Sequence, residues 1–226
     1  MKRSDLKNMD GLIWDMDGVL VDVSKSYREV IRKTAETIFK KPVTMQQVNN
    51  IKQIVGMNND WDATYALIYG IQNPEKIDRD SSAYKKIYSL FQNLYLGTTE
   101  RARLIDRETL FIDKPTLTKL KGKYRVMAIV TGRPRYEANY ILEKFDIKQL
   151  FDIVIAMEDT KKGKPDSEPI VKVINQFKLT NTMYIGDSSS DVVAASNAHI
   201  PSLYIGSENL GDKQFPDITS LVTFLL

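Results

Sequence analysis

Gly11-Leu12-Ile13-Trp14-Asp15-Met16-Asp17-Gly18-Val19-Leu20 is the stretch on which the reading of the fold turns. It begins as a short apolar run rich in the branched and aromatic residues that a buried strand favours. It then stops at two carboxylates and a glycine. Aspartates at the carboxyl end of a parallel strand lie in the crevice where open α/β sheets bind ligands. Two carboxylates this close repel each other unless a cation or a shared proton relieves the charge. Asp15 and Asp17 are therefore expected to form a metal-linked catalytic pair. By itself, Asp-x-Asp-Gly also suits an ordinary turn that closes a strand. A calcium loop fits poorly: Val19 stands where an oxygen ligand is needed, Leu20 where glycine is needed and Ser26 where glutamate is needed.

Behind Asp22 the pattern changes from strand to helix. Tyr27, Val30, Ile31, Ala35, Ile38 and Phe39 recur at helical spacing from Ser24 to Lys40, and Pro42 ends the run. Thr44 and Gln47 make a capping box for a second helix reaching towards Gly56. Asp60 is expected to cap a third, with Trp61, Tyr65 and Ile68 on one face. A fourth runs from Ser81 or Ser82 to Leu96, its Tyr84, Ile87, Tyr88, Phe91 and Tyr95 reading as a helical core. Residues 23–100 are thus expected to be an all-helical domain inserted into a core made of 1–22 and 101–226.

From Leu110 onward strand and helix alternate again. Pro115–Lys121 reads as a short helix and Arg125–Val130 as a buried strand ending at Thr131-Gly132. Pro134 suits the first turn of the helix that buries Ala138, Ile141, Leu142 and Phe145. Ile153–Ile155 is a third strand. Ser167 is placed to cap the helix of Ile170, Val173, Ile174 and Phe177. Met183–Ile185 is a fourth strand, Ser202–Ile205 a fifth, and Ile218–Leu226 a closing helix. Such alternation predicts an α/β fold, a doubly wound, parallel, five-stranded Rossmann-like sheet covered on both faces.

Composition narrows the chemistry. The 226 residues are 42% hydrophobic and 27% charged, as in a globular protein. Lysine and arginine number 32 against 29 acidic residues, with no basic block, so no nucleic-acid partner is expected. There is no cysteine, and the one histidine, His199, reads as a helix-end residue without a chemical role. Carboxylates, a lysine and hydroxyls must then carry any catalysis. The basic start Met1–Lys7 has no apolar run behind it, and no stretch matches a membrane span. A cytoplasmic location without a membrane partner is expected.

Three strand ends carry polar chemistry: Asp15 with Asp17, Thr131-Gly132, and Asp187. In a parallel sheet they share one edge. Lys164 lies in the loop Lys161-Lys162-Gly163-Lys164-Pro165, and Asp191 follows Asp187 by one helical turn, so that both can face one cation. Each has a plain alternative: a helix cap for Asp187 and the serines, a turn for Thr131-Gly132, a solvated loop for the lysines. Their order along the chain is hard to obtain from turns alone.

The series Asp15-x-Asp17-Gly18, Thr131-Gly132, Lys164-Pro165 and Gly186-Asp187-x-x-x-Asp191 resembles the four motifs of the haloacid dehalogenase-like hydrolase superfamily. The helical insert resembles the C1 cap of its phosphatase branch, to which phosphoglycolate phosphatase and β-phosphoglucomutase belong. Asn58-Asn59-Asp60-Trp61, Thr131-Gly132-Arg133-Pro134 and Lys164-Pro165-Asp166-Ser167-Glu168-Pro169 resemble a subfamily with relatives joined to a histidine-biosynthesis dehydratase. The resemblance implies a Mg²⁺-dependent phosphatase of a small phosphorylated metabolite. Asp15 would be the nucleophile and Asp17 the acid and base. Mg²⁺ would be held by Asp15, the Asp17 carbonyl and Asp187, and by Asp191 through water. Thr131 and the Gly132 amide would bind phosphate oxygens, and Lys164 would pair with Asp15 and the phosphoryl group. Dehalogenation is not expected, since dehalogenating relatives lack an aspartate at the Asp17 position. Tyr27, Arg28, Asn58 and Arg133 are further polar side chains to consider. The alternatives are a phosphomutase using the same nucleophile, for which Lys52 is the one evident additional cation, and a non-catalytic binding module.

Overall fold

The computed structural model describes residues 2–57, 59–98 and 103–226. Asn58 lies outside the described residues. The chain divides into two compact units, one of residues 1–21 and 110–226 and one of residues 22–109.

The first unit is built on strand β1 (Gly11–Trp14), whose four residues are all buried. It lies between β4 (Val126–Val130) and β6 (Thr182–Gly186), parallel to both, with Trp14 opposite Ile129 on one side and Ile185 on the other. Outside these run β5 (Ile153–Ile155), β7 (Ser202–Ile205) and β8 (Lys213–Phe215), in the order β5-β4-β1-β6-β7-β8. All five pairings are parallel. The sheet therefore has six strands, one more than the apolar runs predict. The added strand is Lys213-Gln214-Phe215, an edge strand in which only Phe215 is buried. Two polar residues around one aromatic leave no apolar run to recognise.

Central strands bury both faces, as parallel sheets do. Val126, Ala128 and Val130 project to one side with Ile13 and Tyr184, and pack with Ile170, Val173, Ala194 and Ala195. The last four come from α7 (Glu168–Phe177) and α8 (Ser189–Asn197). The unit also holds α5 (Lys114–Lys123), α6 (Arg135–Lys144) and α9 (Ile218–Leu225). Ser167 makes no side-chain cap bond to α7; Asp166 Oδ1 instead accepts the Glu168 N–H at 2.9 Å. The short strands β2 (Val21–Asp22) and β3 (Thr109–Leu110), where the chain passes from one unit to the other, pair with each other.

The second unit consists of α1 (Tyr27–Phe39), α2 (Met45–Lys52), α3 (Asp60–Tyr69) and α4 (Ser82–Tyr95). Thr44 and Gln47 form the expected capping box of α2. The cap of α3 is Asn59, whose Oδ1 accepts from Trp61 and Asp62 N–H, while Asp60 begins the helix and pairs with Lys52 at 2.7 Å. Nor is the buried side of α3 the aromatic one: Asp62, Ala63, Thr64 and Ala66 are buried, and Trp61, Tyr65 and Ile68 are half-buried. Asp62 is tolerated inside because Arg79 Nη2 and the Tyr84 hydroxyl donate to it at 2.6 and 2.7 Å. On α4, Tyr84, Ile87, Phe91 and Tyr95 are buried as expected, while Tyr88 is exposed with its ring against Trp61. The sequence places the return to the core at 101, whereas the second unit runs on to Thr109. Buried Leu104 and Ile105 hold that segment, together with Glu108, whose Oε1 accepts from Ser26 Oγ at 2.6 Å and Tyr95 OH at 2.9 Å.

Candidate active site

Because all strands of the sheet run one way, the residues that follow β1, β4 and β6 emerge at one edge. Asp15 follows β1 directly, its N–H donating to the Ile185 carbonyl at 2.8 Å. The chain then turns tightly: Gly18 N–H bonds the Val21 carbonyl, and both Leu20 and Val21 N–H reach the Met16 carbonyl. Gly18 has φ +77°, and a Cβ there would lie 1.9 Å from Asp187 Oδ2. Glycine is required twice over, for the backbone and for the approach of Asp187.

Asp187 follows β6, and α8 begins two residues later. Ser188 and Asp191 cap that helix reciprocally: Ser188 Oγ accepts the Asp191 N–H, while Asp191 Oδ2 accepts from Ser188 N–H at 3.1 Å and Oγ at 2.6 Å. A Cβ on Gly186 would lie 2.3 Å from that of Asp191, so the strand end must be bare for the helix to pack. Oxygens of Asp15, Asp187 and Asp191 all come within 4.8 Å of one another.

Of the lysines in the loop before α7, Lys161 and Lys162 are exposed and only Lys164 turns inward. Its Nζ lies 2.8 Å from Asp15 Oδ1 and 2.6 Å from Asp191 Oδ1, and donates to the Tyr184 hydroxyl at 2.9 Å. The Tyr184 oxygen is in turn 3.1 Å from Asp191 Oδ1. Burial, with Asp191 adding to it, pushes the Asp15 carboxyl well above the usual carboxylate range despite Lys164. Burial also opposes the charge on Lys164, but Asp15 and Asp191 outweigh it and hold the ammonium well above its ordinary value.

The Asp17 carboxylate is not one of the clustered acidic groups. It is taken by Arg133, whose Nε donates to Oδ1 at 2.7 Å. Thr131, at the end of β4, is buried; its N–H donates to the Ile155 carbonyl and its Oγ1 accepts the Arg133 N–H at 3.1 Å. Gly132 is exposed. The geometry thus joins Asp15, Lys164, Asp187 and Asp191 in one cluster, and Asp17, Thr131 and Arg133 in a second. The sequence marks Tyr184 only as a strand residue; its position two residues before Gly186, on the same side of the strand, is the one sign that it faces the site. Tyr27 is buried and stacks on Tyr95 at 4.2 Å between ring centres, which makes it a packing residue. His199 stands just beyond α8 with φ +56°.

The family model described as haloacid dehalogenase-like hydrolase matches residues 12–205, and the chain belongs to this family of enzymes. An imidazoleglycerol-phosphate dehydratase of Phytophthora nicotianae is 32% identical over 195 residues, covering 84% of this chain but only 42% of that protein. A phosphorylated carbohydrates phosphatase of Thermotoga maritima is 27% identical over 209 residues, covering 90% of this chain and 88% of that one. A phosphatase of known structure from Thermococcus thioreducens superposes with a TM-score of 0.67 at 19% identity, over 94% of this chain and 97% of the other; it attests the fold. Among the described residues no helix is long and apolar enough to cross a membrane.

Proposed function

We propose that the protein is a Mg²⁺-dependent phosphomonoesterase that hydrolyses a small phosphorylated metabolite through an aspartyl-phosphate on Asp15. The observation that carries this is the environment of Asp15: a strand-end carboxylate held by Lys164 at 2.8 Å and clustered with Asp187 and Asp191. The Thermotoga relative, a phosphatase of phosphorylated carbohydrates by name, supports the substrate class.

The residues suit Mg²⁺. Every donor is an oxygen, as a hard cation requires. Among the described residues, Asp15, Asp17 and Asp191 are paired with two cationic side chains, Lys164 and Arg133, and with Asp187 the four carboxylates leave room for two positive charges. Both oxygens of Asp191 are already engaged, by Lys164 and Tyr184 on one side and Ser188 on the other. Direct ligation would fall to Asp15, Asp187 and the Asp17 carbonyl, with Asp191 acting through water. When bound, the ion would offset charge on Asp15 and on the phosphoryl oxygens.

Asp15 attacks phosphorus, and the bond from phosphorus to the leaving oxygen breaks as that oxygen takes a proton from Asp17. Water then gives a proton to Asp17 and attacks the same phosphorus. The bond to Asp15 breaks, releasing inorganic phosphate and restoring both carboxyl groups. Lys164 holds Asp15 in place throughout, and Thr131 and the Gly132 N–H bind phosphoryl oxygens. Residues 22–109 are assigned as the cap and the source of substrate choice.

The test is phosphate release from a panel of metabolite phosphates and p-nitrophenyl phosphate, with Mg²⁺ or with a chelator. Mg²⁺-dependent release that disappears in Asp15→Asn is expected. Release that survives chelation, or persists in pure Asp15→Asn, overturns the reading. A requirement for a sugar bisphosphate activator would mark a phosphomutase instead; Lys52, the extra cation that reading has to hand, is engaged by Asp60.

A further inference from the structure

The proposed chemistry asks Asp17 to exchange a proton, yet nothing in its own turn aims its carboxylate. The turn fixes the backbone, through Gly18 N–H to the Val21 carbonyl at 2.9 Å and the bridge between Asp17 and Val21. The side chain is 29% exposed and could swing. Arg133 is what holds it: Nε donates to Asp17 Oδ1 at 2.7 Å, and Nη2 lies 2.5 Å from the same oxygen.

Arg133 is itself tightly fixed. Its side chain is 1% exposed, its N–H donates to Thr131 Oγ1 at 3.1 Å, and its carbonyl accepts the Met157 N–H at 2.9 Å. A guanidinium is costly to desolvate, and an ion pair with a part-exposed carboxylate returns little stability. Both of its contacts with Asp17 fall on Oδ1, which singles out Oδ2.

We infer that Arg133 is a positioning residue for Asp17. It occupies Oδ1 and so presents Oδ2, first to the leaving oxygen and then to the attacking water. Its place beside Thr131 and Gly132 ties the aim of the acid to the loop proposed to hold the phosphate. The inference rests on the reading of Asp17 as acid and base given above.

Two esters of similar shape separate positioning from structural support. Phenyl phosphate has a poor leaving group that needs a proton; p-nitrophenyl phosphate has a good one that needs little help. The value of kcat/KM reports the first step, in which the leaving group departs. Arg133→Gln is expected to lower it about 10²-fold for phenyl phosphate, and about tenfold or more less severely for p-nitrophenyl phosphate. Arg133→Lys should recover part of the phenyl phosphate loss. In an Asp17→Asn background, Arg133→Gln should cause no further loss, since its effect passes through Asp17. Equal losses with both esters, or additive losses in the double variant, overturn the inference. If Arg133→Gln does not fold, Arg133→Lys carries the same comparison of esters. Equal losses in an enzyme still silenced by Asp15→Asn count against this inference alone. An inactive wild type, or an active Asp15→Asn, removes the phosphatase reading and the inference with it.

Discussion

Asp15 is a buried carboxyl beside other acidic groups, and single substitutions there and at its neighbours separate chemistry from stability. Its carboxyl is pushed up in the folded protein, by burial first and by Asp191 next. A carboxyl raised above its unfolded value of 3.8 costs stability when ionised, so the metal-free fold weakens as pH rises from that value towards the folded one. Asp15→Asn removes the charge and keeps the shape. Without Mg²⁺ at neutral pH, its melting temperature is expected to equal or exceed that of the wild type, although turnover is lost; a clear fall would contradict this account. Gly18 tests the other partner. An alanine there must take up φ +77° and drive a methyl group into Asp187 Oδ2. The expected cost is about 1–3 kcal/mol. A weakened response to Mg²⁺ should accompany it, read by melting curves with and without the ion.

Caps fix where helices begin, and here one cap also places a residue of the candidate site. Ser188 serves α8 in this way, since its bonds with Asp191 start the helix and occupy Asp191 Oδ2. Ser188→Ala is expected to cost about 1 kcal/mol, as lost caps do, with a loss of kcat that Ser188→Thr largely avoids. Chemical denaturation and steady-state assays check the two parts. Caps were partly legible in the sequence: the box Thr44–Gln47 could be read from spacing, whereas Asn59 and Asp166 took over from Asp60 and Ser167. Spacing names the candidates near a helix start, but backbone dihedrals decide which side chain faces the free N–H groups. The buried face of α3 escaped detection for a related reason. Apolar periodicity points to Trp61 and Tyr65, while the pairing of Asp62 with Arg79 and Tyr84 is a contact that no single helix contains.

For the whole molecule, the proposed ion and pH are both expected to act on stability. A ligand that binds only the folded state stabilises it by about 2.7 kcal/mol at a hundred times its Kd. Melting temperature should therefore climb with Mg²⁺ concentration in the wild type and much less in Asp187→Asn; identical titrations would count against the assigned ligands. Acid acts through other groups. Asp113, bonded to Thr116, and Asp217, bonded to Ser220, cap α5 and α9 and are held below the ordinary carboxylate value of 3.8. A depressed folded value means that the stabilisation is present above the unfolded value and is lost as pH falls through the folded one. Melting temperature is thus expected to drop below about pH 4, and the drop should be shallower in the double variant Asp113→Asn, Asp217→Asn.

The succession of strands along the chain, the helical insertion and the acidic strand ends follow from local features: apolar period, turn residues and the placing of Asp15, Thr131, Lys164 and Asp187 along the chain. Those features act over a few residues, and one sequence displays them in full. Whether Lys213–Phe215 would pair, and that Arg133 would close on Asp17, depended on folding. The first is a pairing with β7 that two polar residues around one aromatic do not announce. The second joins residues 116 apart in the chain at the cost of burying a guanidinium. Such a cost is met only by partners that the completed sheet brings within reach.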